Sequence, residues 1–296
     1  MGPAAGRSRA GVPQFLGAAT HEAGATIADR PALHAQGGLS TKSGMKKIVK
    51  AALASAGWEL GRTADLQAQA LADLSAADRE IVSRVHPFTM TSLERRASLL
   101  GAVDHISKHK IAGDIVECGV WRGGSMMAVA LALMARGDTS RHLYLYDTFE
   151  GMSEPTAEDK SVSGESAEAQ LARTARDHAL WAVASLEDVQ ANLWSTGYPR
   201  DRIHFVKGKV EDTIPATLPS RIALLRLDTD WYESTRHELS HLYPLLARHG
   251  LLIIDDYGHW QGARQAVDEY FANSAEPVFL HRVDYTARLV VKHSGS

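Results

Sequence analysis

Four aspartates stand just past two apolar runs of this sequence, and their types and spacing suit them to chemistry. Asp228 and Asp230 follow the run Ile222–Leu227, and Asp255 and Asp256 follow Leu251–Ile254. One amphipathic stretch separates the runs, so they are expected to be neighbouring strands of a parallel sheet. Ligands of open α/β sheets bind beyond the carboxyl ends of the strands. Carboxylates crowded there repel one another unless a proton or a cation intervenes. Magnesium, a hard ion with oxygen ligands, would relieve the crowding while keeping places for water or substrate oxygens. An ion so held acidifies a coordinated hydroxyl, and a further carboxylate can take its proton. Capping is the plain alternative. Asp230 would cap a helix from Trp231 with Glu233 as reciprocal partner, and Asp256 would serve a turn before Trp260. A helix needs one cap, so four acids at two strand ends favour the ligand reading.

A second group precedes these. The segment Glu117-Cys118-Gly119-Val120-Trp121-Arg122-Gly123-Gly124-Ser125 joins an expected strand, Asp114–Cys118, to an expected helix, Ser125–Ala135. Glycines admit close backbone approach, and a helix N-terminus offers unpaired N–H groups. Asp147 ends the next strand, His142–Tyr146, where it is placed to grip the hydroxyls of a ribose. Trp121 fills the second glycine position of the dinucleotide fingerprint, so that motif is not matched. An acidic residue near the end of the first strand suits a cationic cofactor such as S-adenosylmethionine. The bland reading of the glycines is a tight turn and nothing more.

The elements that must hold these groups in place follow from the pattern. Residues 1–44 are rich in Gly, Ala, Ser and Pro without a period and read as a flexible tail. Residues 45–110 read as helical: Met45–Ala56, Asp65–Leu74, Ala76–Val85 capped by Ser75, and a long helix capped by Thr91 or Ser92 and reaching Lys108. Residues 111–293 alternate strand and helix, with a helix from Ser185 to Trp194, a strand Ile203–Val206 and a closing hairpin, Val278–Val283 with Arg288–Lys292. Alternation of this kind means a parallel sheet with helices on both faces. The polar stretch from Glu150 to about Ala184 reads either as a lid over the site or as a disordered surface loop.

Composition bounds the function. The chain has 296 residues, 45% hydrophobic and 23% charged, with net charge -3. No basic stripe with interleaved aromatics points to nucleic acid. A single cysteine, Cys118, allows no intrachain disulfide. No apolar run approaches the ~20 residues of a membrane span, and no signal-peptide core is present, so a cytoplasmic protein is expected. The apolar helices within Met45–Val85 offer an interface for a homo-oligomer.

His237-Glu238-Leu239-Ser240-His241 matches the H-E-x-x-H zinc pattern and gives a rival reading as a zinc hydrolase. The core face of this helix is expected to be Leu239, Leu242 and Leu246, which turns His237 and His241 toward solvent. Pro244 and Ala247 also stand where the extended motif needs a glycine and a third histidine. His105 and His109 take the same bland reading. An oxidoreductase or a non-catalytic binder of the cofactor are further alternatives.

From about Ile48 to Lys292 the sequence resembles the macrocin O-methyltransferase (TylF-type) family, which includes the mycinamicin and novobiocin sugar methyltransferases. The resemblance rests on Pro87-Phe88-Thr89-Met90, the glycine segment from Glu117 to Ser125, Tyr146–Met152, Ser185–Val189, Leu227–Thr235, Ile254–Gly258 and Gly262–Asp268. It implies a class I S-adenosylmethionine-dependent methyltransferase fold: a Rossmann-like, seven-stranded, mostly parallel sheet with helices on both faces, preceded by N-terminal helices. It implies S-adenosylmethionine and Mg2+ as cofactors and a sugar hydroxyl of a glycosylated secondary metabolite as acceptor. Another vicinal diol, such as a catechol, is the alternative. By the family pattern Asp228, Asp255 and Asp256 would hold the metal and Asp230 would be the general base. Thr89, Met90, Glu117, Gly119, Ser125, Asp147, Thr148, Phe149, Ser185, Asp212 and Asp228 would bind the cofactor.

Overall fold

The computed structural model describes residues 69, 71–274 and 277–294. The expected tail 1–44 and the helix Met45–Ala56 lie outside them. So does most of the expected helix Asp65–Leu74, whose described end, 71–74, is turn rather than helix.

Seven strands form one sheet: β1 (Asp114–Cys118), β2 (Leu143–Asp147), β3 (Ile203–Lys207), β4 (Ile222–Leu227), β5 (Leu246–Ile254), β6 (His281–Arg282) and β7 (Arg288–Val291). Their order is β3-β2-β1-β4-β5-β7-β6. All neighbours from β3 to β5 run parallel, and β7 is antiparallel to both β5 and β6. Among the described residues the α-helices are α1 (Ala76–Val85), α2 (Leu93–Lys108), α3 (Gly124–Ala135), α4 (Ala167–Ala172), α5 (Leu186–Trp194), α6 (Val210–Thr213), α7 (Tyr232–Leu242) and α8 (Gln261–Ala272).

Strand parity builds the two layers. Ile115, Leu143, Leu145 and Leu224 pack on one face with residues of α1, α2, α3 and α5. Val116, Cys118, Tyr146, Leu225 and Leu252 pack on the other with α6, α7 and α8. A strand buried on both faces must be apolar throughout, and every residue of β4 is buried. α3 is apolar nearly all round because α1 and α2 cover the side that the sheet does not. Ser75 and Ser92 cap α1 and α2 by accepting from the N–H of Asp78 and Arg95.

One boundary moves. The sequence pattern carries α7 through Leu246 and starts β5 at Leu251. Instead α7 stops at Leu242, a single 3-10 turn spans Tyr243–Leu245, and Leu246 already belongs to β5. Pro244 has no N–H to continue an α-helix, so the leucine spacing runs on past the point where the backbone permits it.

Candidate active site

The strand order reverses at β1, which has β2 on one side and β4 on the other. A crevice must open at the carboxyl ends of such a pair. Register then decides what meets there. Cys118, Leu227 and Ile254 form one row across β1, β4 and β5. The residues that follow them, Gly119, Asp228 and Asp255, therefore emerge side by side. Gly119 has φ 78°, and a Cβ there would overlap the backbone carbonyl of Asp228. Close approach and left-handed backbone both require glycine at this point.

A cavity of about 530 Å³ opens at this edge. Among the sequence-derived cofactor residues, Thr89, Met90, Gly119, Ser125, Asp147, Thr148 and Asp228 line it. Asp230, Asp255 and Asp256 line the same cavity. Four residues named from the family pattern do not. Glu117 is buried behind the wall and ion-paired with Arg226. Phe149 is buried edge-on to Phe205 at 6.4 Å. Ser185 is exposed and caps α5 by accepting from the N–H of Asp188 at 3.2 Å. Asp212 is exposed on α6, and its neighbour Glu211 reaches the cavity instead.

Asp147 does more than face a ligand. Its Oδ2 accepts from the N–H groups of Val120 and Trp121 at 2.7 and 3.2 Å, and Oδ1 accepts from Phe149 N–H at 2.7 Å. It thereby fixes the shape of the glycine turn. Burial raises its carboxyl above the ordinary value against the lowering effect of these bonds.

One ligand oxygen each from Asp228, Asp255 and Asp256 can lie within 4.8 Å of the others. Arg226 sits beneath them. It pairs with Glu117, with Asp228 at 2.8 Å and with Asp255 at 2.9 Å. The last contact is off the hydrogen-bonding angle, and Asp255 Oδ1 is buried with no hydrogen bond. Arg95 reaches Asp255 from the cavity side and Asp284 at 3.0 Å. Six carboxylates, those of Glu117, Asp228, Asp230, Asp255, Asp256 and Asp284, thus stand around two guanidinium groups. Burial and mutual repulsion push Asp228 and Asp256 well above the usual carboxylate range. Burial, then Asp228, pushes Asp230 up to about 7. Surplus negative charge and three convergent carboxylate oxygens fit a hard divalent cation.

The segment 150–184 is ordered. Asp159 is fully buried and caps α7 from outside, accepting from Tyr232 N–H at 2.8 Å and from Thr156 N–H at 2.7 Å. Lys160 C=O accepts from Gln261 N–H at the start of α8 at 2.7 Å. Leu171 packs with Trp231 and Trp260, beside Met152 and Leu180. The stretch thus packs over the starts of α7 and α8, and the capping alternative is not met, since neither Asp230 nor Asp256 caps its helix by side chain.

The H-E-x-x-H histidines are half-buried rather than solvent-facing. His237 Nε2 donates to Ile214 C=O at 2.9 Å, and His241 Nδ1 donates to His237 C=O at 2.8 Å. The reading from periodicity missed the turn at Ile214, whose carbonyl His237 reaches. Sequence reasoning also passed over Arg95, Arg226, Trp231, His259, Trp260 and Tyr285, all in the cavity wall. Only Arg226 carried a signal: an arginine inside an apolar strand needs buried carboxylates to pair with.

The sequence profile of the Macrocin-O-methyltransferase (TylF) family matches residues 47–291. The chain belongs to this family. The 8-demethyl-8-(2,3-dimethoxy-alpha-L-rhamnosyl)-tetracenomycin-C 4'-O-methyltransferase of Streptomyces olivaceus is 37% identical over 66% of this chain and 72% of its own length. The mycinamicin III 3''-O-methyltransferase of Micromonospora griseorubida is 34% identical over 62% of this chain and 69% of its own. Among solved structures, the O-methyltransferase NovP superposes with TM-score 0.62 at 29% identity, over 70% of this chain and 83% of that one. With the sheet order above, these make this TylF-family protein an S-adenosylmethionine-dependent O-methyltransferase of class I fold. Among the described residues no helix is long and apolar enough to cross a membrane.

Proposed function

We propose that this enzyme methylates a sugar hydroxyl of a glycosylated natural product, with a divalent cation held by Asp228, Asp255 and Asp256 and Asp230 as general base. The observation that carries the reading is the convergence of those three carboxylates beside Asp230, in the cavity that Gly119 and Asp147 shape. The relatives support the acceptor class, since one is named for 4'-O-methylation of a rhamnosyl tetracenomycin and another for 3''-O-methylation of mycinamicin III.

S-adenosylmethionine supplies an electrophilic methyl group, and a divalent cation such as Mg2+, when bound, steadies neighbouring acceptor oxygens and makes a hydroxyl more acidic. The chain does the rest. Asp147 fixes the turn against which the donor lies. Asp230 accepts the hydroxyl proton, and a base that ionises near working pH is efficient at this. Its N–H donates to Asp256 Oδ2 at 3.1 Å, which ties the base to the carboxylate cluster. Trp231 and Trp260 meet edge to face at 5.0 Å and, with the 150–184 segment over them, wall the acceptor side from water.

The direct test is methyl transfer from labelled S-adenosylmethionine to a rhamnosylated polyketide, with and without EDTA. Transfer that stops in EDTA and returns with Mg2+ is expected. Full turnover in chelator removes the cation, and transfer to a free catechol but to no glycoside redirects the acceptor.

A further inference from the structure

The histidine pair on α7 brackets Glu238, a buried acid that methyl transfer does not use. Its side chain is 0% exposed. Oε1 accepts from the hydroxyl of Thr229 at 2.9 Å, while Oε2 is buried with no hydrogen bond. The thiol of Cys118, buried at the end of β1, is its other polar neighbour. Among the described residues no Lys, Arg or His forms an ion pair with it. Burial therefore drives its carboxyl well above the ordinary range.

Thr229 is the residue between Asp228 and Asp230, and it lines the cavity. Its backbone oxygen accepts from Trp231 N–H at 2.8 Å, and Asp228 N–H donates to Cys118 C=O at 2.9 Å. Past these two ties the chain turns sharply, because Asp230 is left-handed at φ 67°. A non-glycine residue in that region persists only where its surroundings hold it. The Thr229–Glu238 bond tethers this tripeptide to the buried face of α7, while Asp256 separately accepts from the Asp230 N–H.

We propose that Glu238 is a positioning residue: through the Thr229 hydroxyl it fixes the Asp228-Thr229-Asp230 turn so that the Asp230 carboxylate faces the reacting hydroxyl. This rests on the reading of Asp230 as base. An acid buried here pays its way only if the bond it makes matters, since a leucine would fill the space without an unpaired oxygen. A small displacement of a base costs far more rate than binding.

The test is a double-mutant cycle on Thr229→Val and Glu238→Leu, read as kcat, KM for S-adenosylmethionine and affinity for S-adenosylhomocysteine. Each single change should lower kcat about ten- to hundredfold and move donor KM less than about twofold. The double variant should be no slower than the slower single one, because both remove one bond. Glu238→Gln should rescue most of the rate, since its amide oxygen still accepts from Thr229. Full rate in Thr229→Val, additive losses, or a Glu238→Gln variant as slow as the leucine one overturns the proposal. If Glu238→Leu does not fold, Thr229→Val and Glu238→Gln decide by themselves. Asp230→Asn run alongside separates the two readings. An unchanged rate there with a coupled cycle removes the base and keeps the tether; a lost rate with no coupling removes the tether alone.

Discussion

Asp230 combines three features that rarely coincide. Its backbone is left-handed at φ 67°, its carboxyl is pushed up to about 7, and it opens into the cavity shared with the glycine turn. In the proposed role the ionised form is the base, so turnover should rise with pH as Asp230 loses its proton. A cation on Asp228 and Asp256 draws that midpoint down, so the acid limb is expected at or below about pH 7. Asp230→Asn should lower kcat by about 100-fold or more and leave S-adenosylhomocysteine affinity unchanged. A flat pH profile with an active asparagine variant would take the base role from this residue. Resemblance to the family named Asp230, yet nothing in the local sequence shows its backbone strain or its raised pKa. The raised pKa comes first from burial and then from Asp228, and burial is a product of folding. Glu117 shows the converse. The family pattern puts it on the cofactor, while the β1–β4 register puts it against Arg226.

At the scale of elements, the 150–184 strap is held by the helices it covers. Asp159 caps α7, Lys160 receives the first N–H of α8, and Gly262 leaves room for the Asp159 carboxylate, which a Cβ would overlap. A sequence reading looks for a cap within a residue or two of the helix start, and here it arrives from 73 residues away. Asp159→Ala should therefore cost about 1–2 kcal/mol in urea unfolding and raise acceptor KM more than donor KM. A variant that keeps wild-type stability and acceptor KM would show the strap to be held by its apolar residues alone. Helix ends set by serines next to them, at α1 and α2, were by contrast plain in the sequence. The end of α7 was not, because leucine spacing continues through Tyr243–Leu245 while Pro244 ends the helical backbone.

At the scale of the molecule, the carboxylate cluster ties the site to stability. Asp228, Asp230 and Asp256 bind protons more tightly folded than unfolded. Their contribution is fully present below the ordinary aspartate range and is lost as pH rises through the folded values, about 7 for Asp230. A divalent cation bound to the cluster, as proposed, would take over the work of those protons. Mg2+ should then raise Tm clearly at pH 8 and little at pH 5, as read by thermal denaturation in EDTA against excess Mg2+. Equal shifts at both values, or none, would mean the ion binds elsewhere or not at all.

The sequence by itself determined the main strands, the carboxyl ends at which the cavity lies and the four aspartates proposed to act there, because strand periodicity and acidic clustering are local properties of the chain. It could not show that Arg226 and Arg95 meet Asp255, that Glu238 reaches Thr229 across nine residues, or that Asp159 closes α7. Those pairings join residues from separate elements, and only sheet register and helix packing bring them within hydrogen-bonding distance.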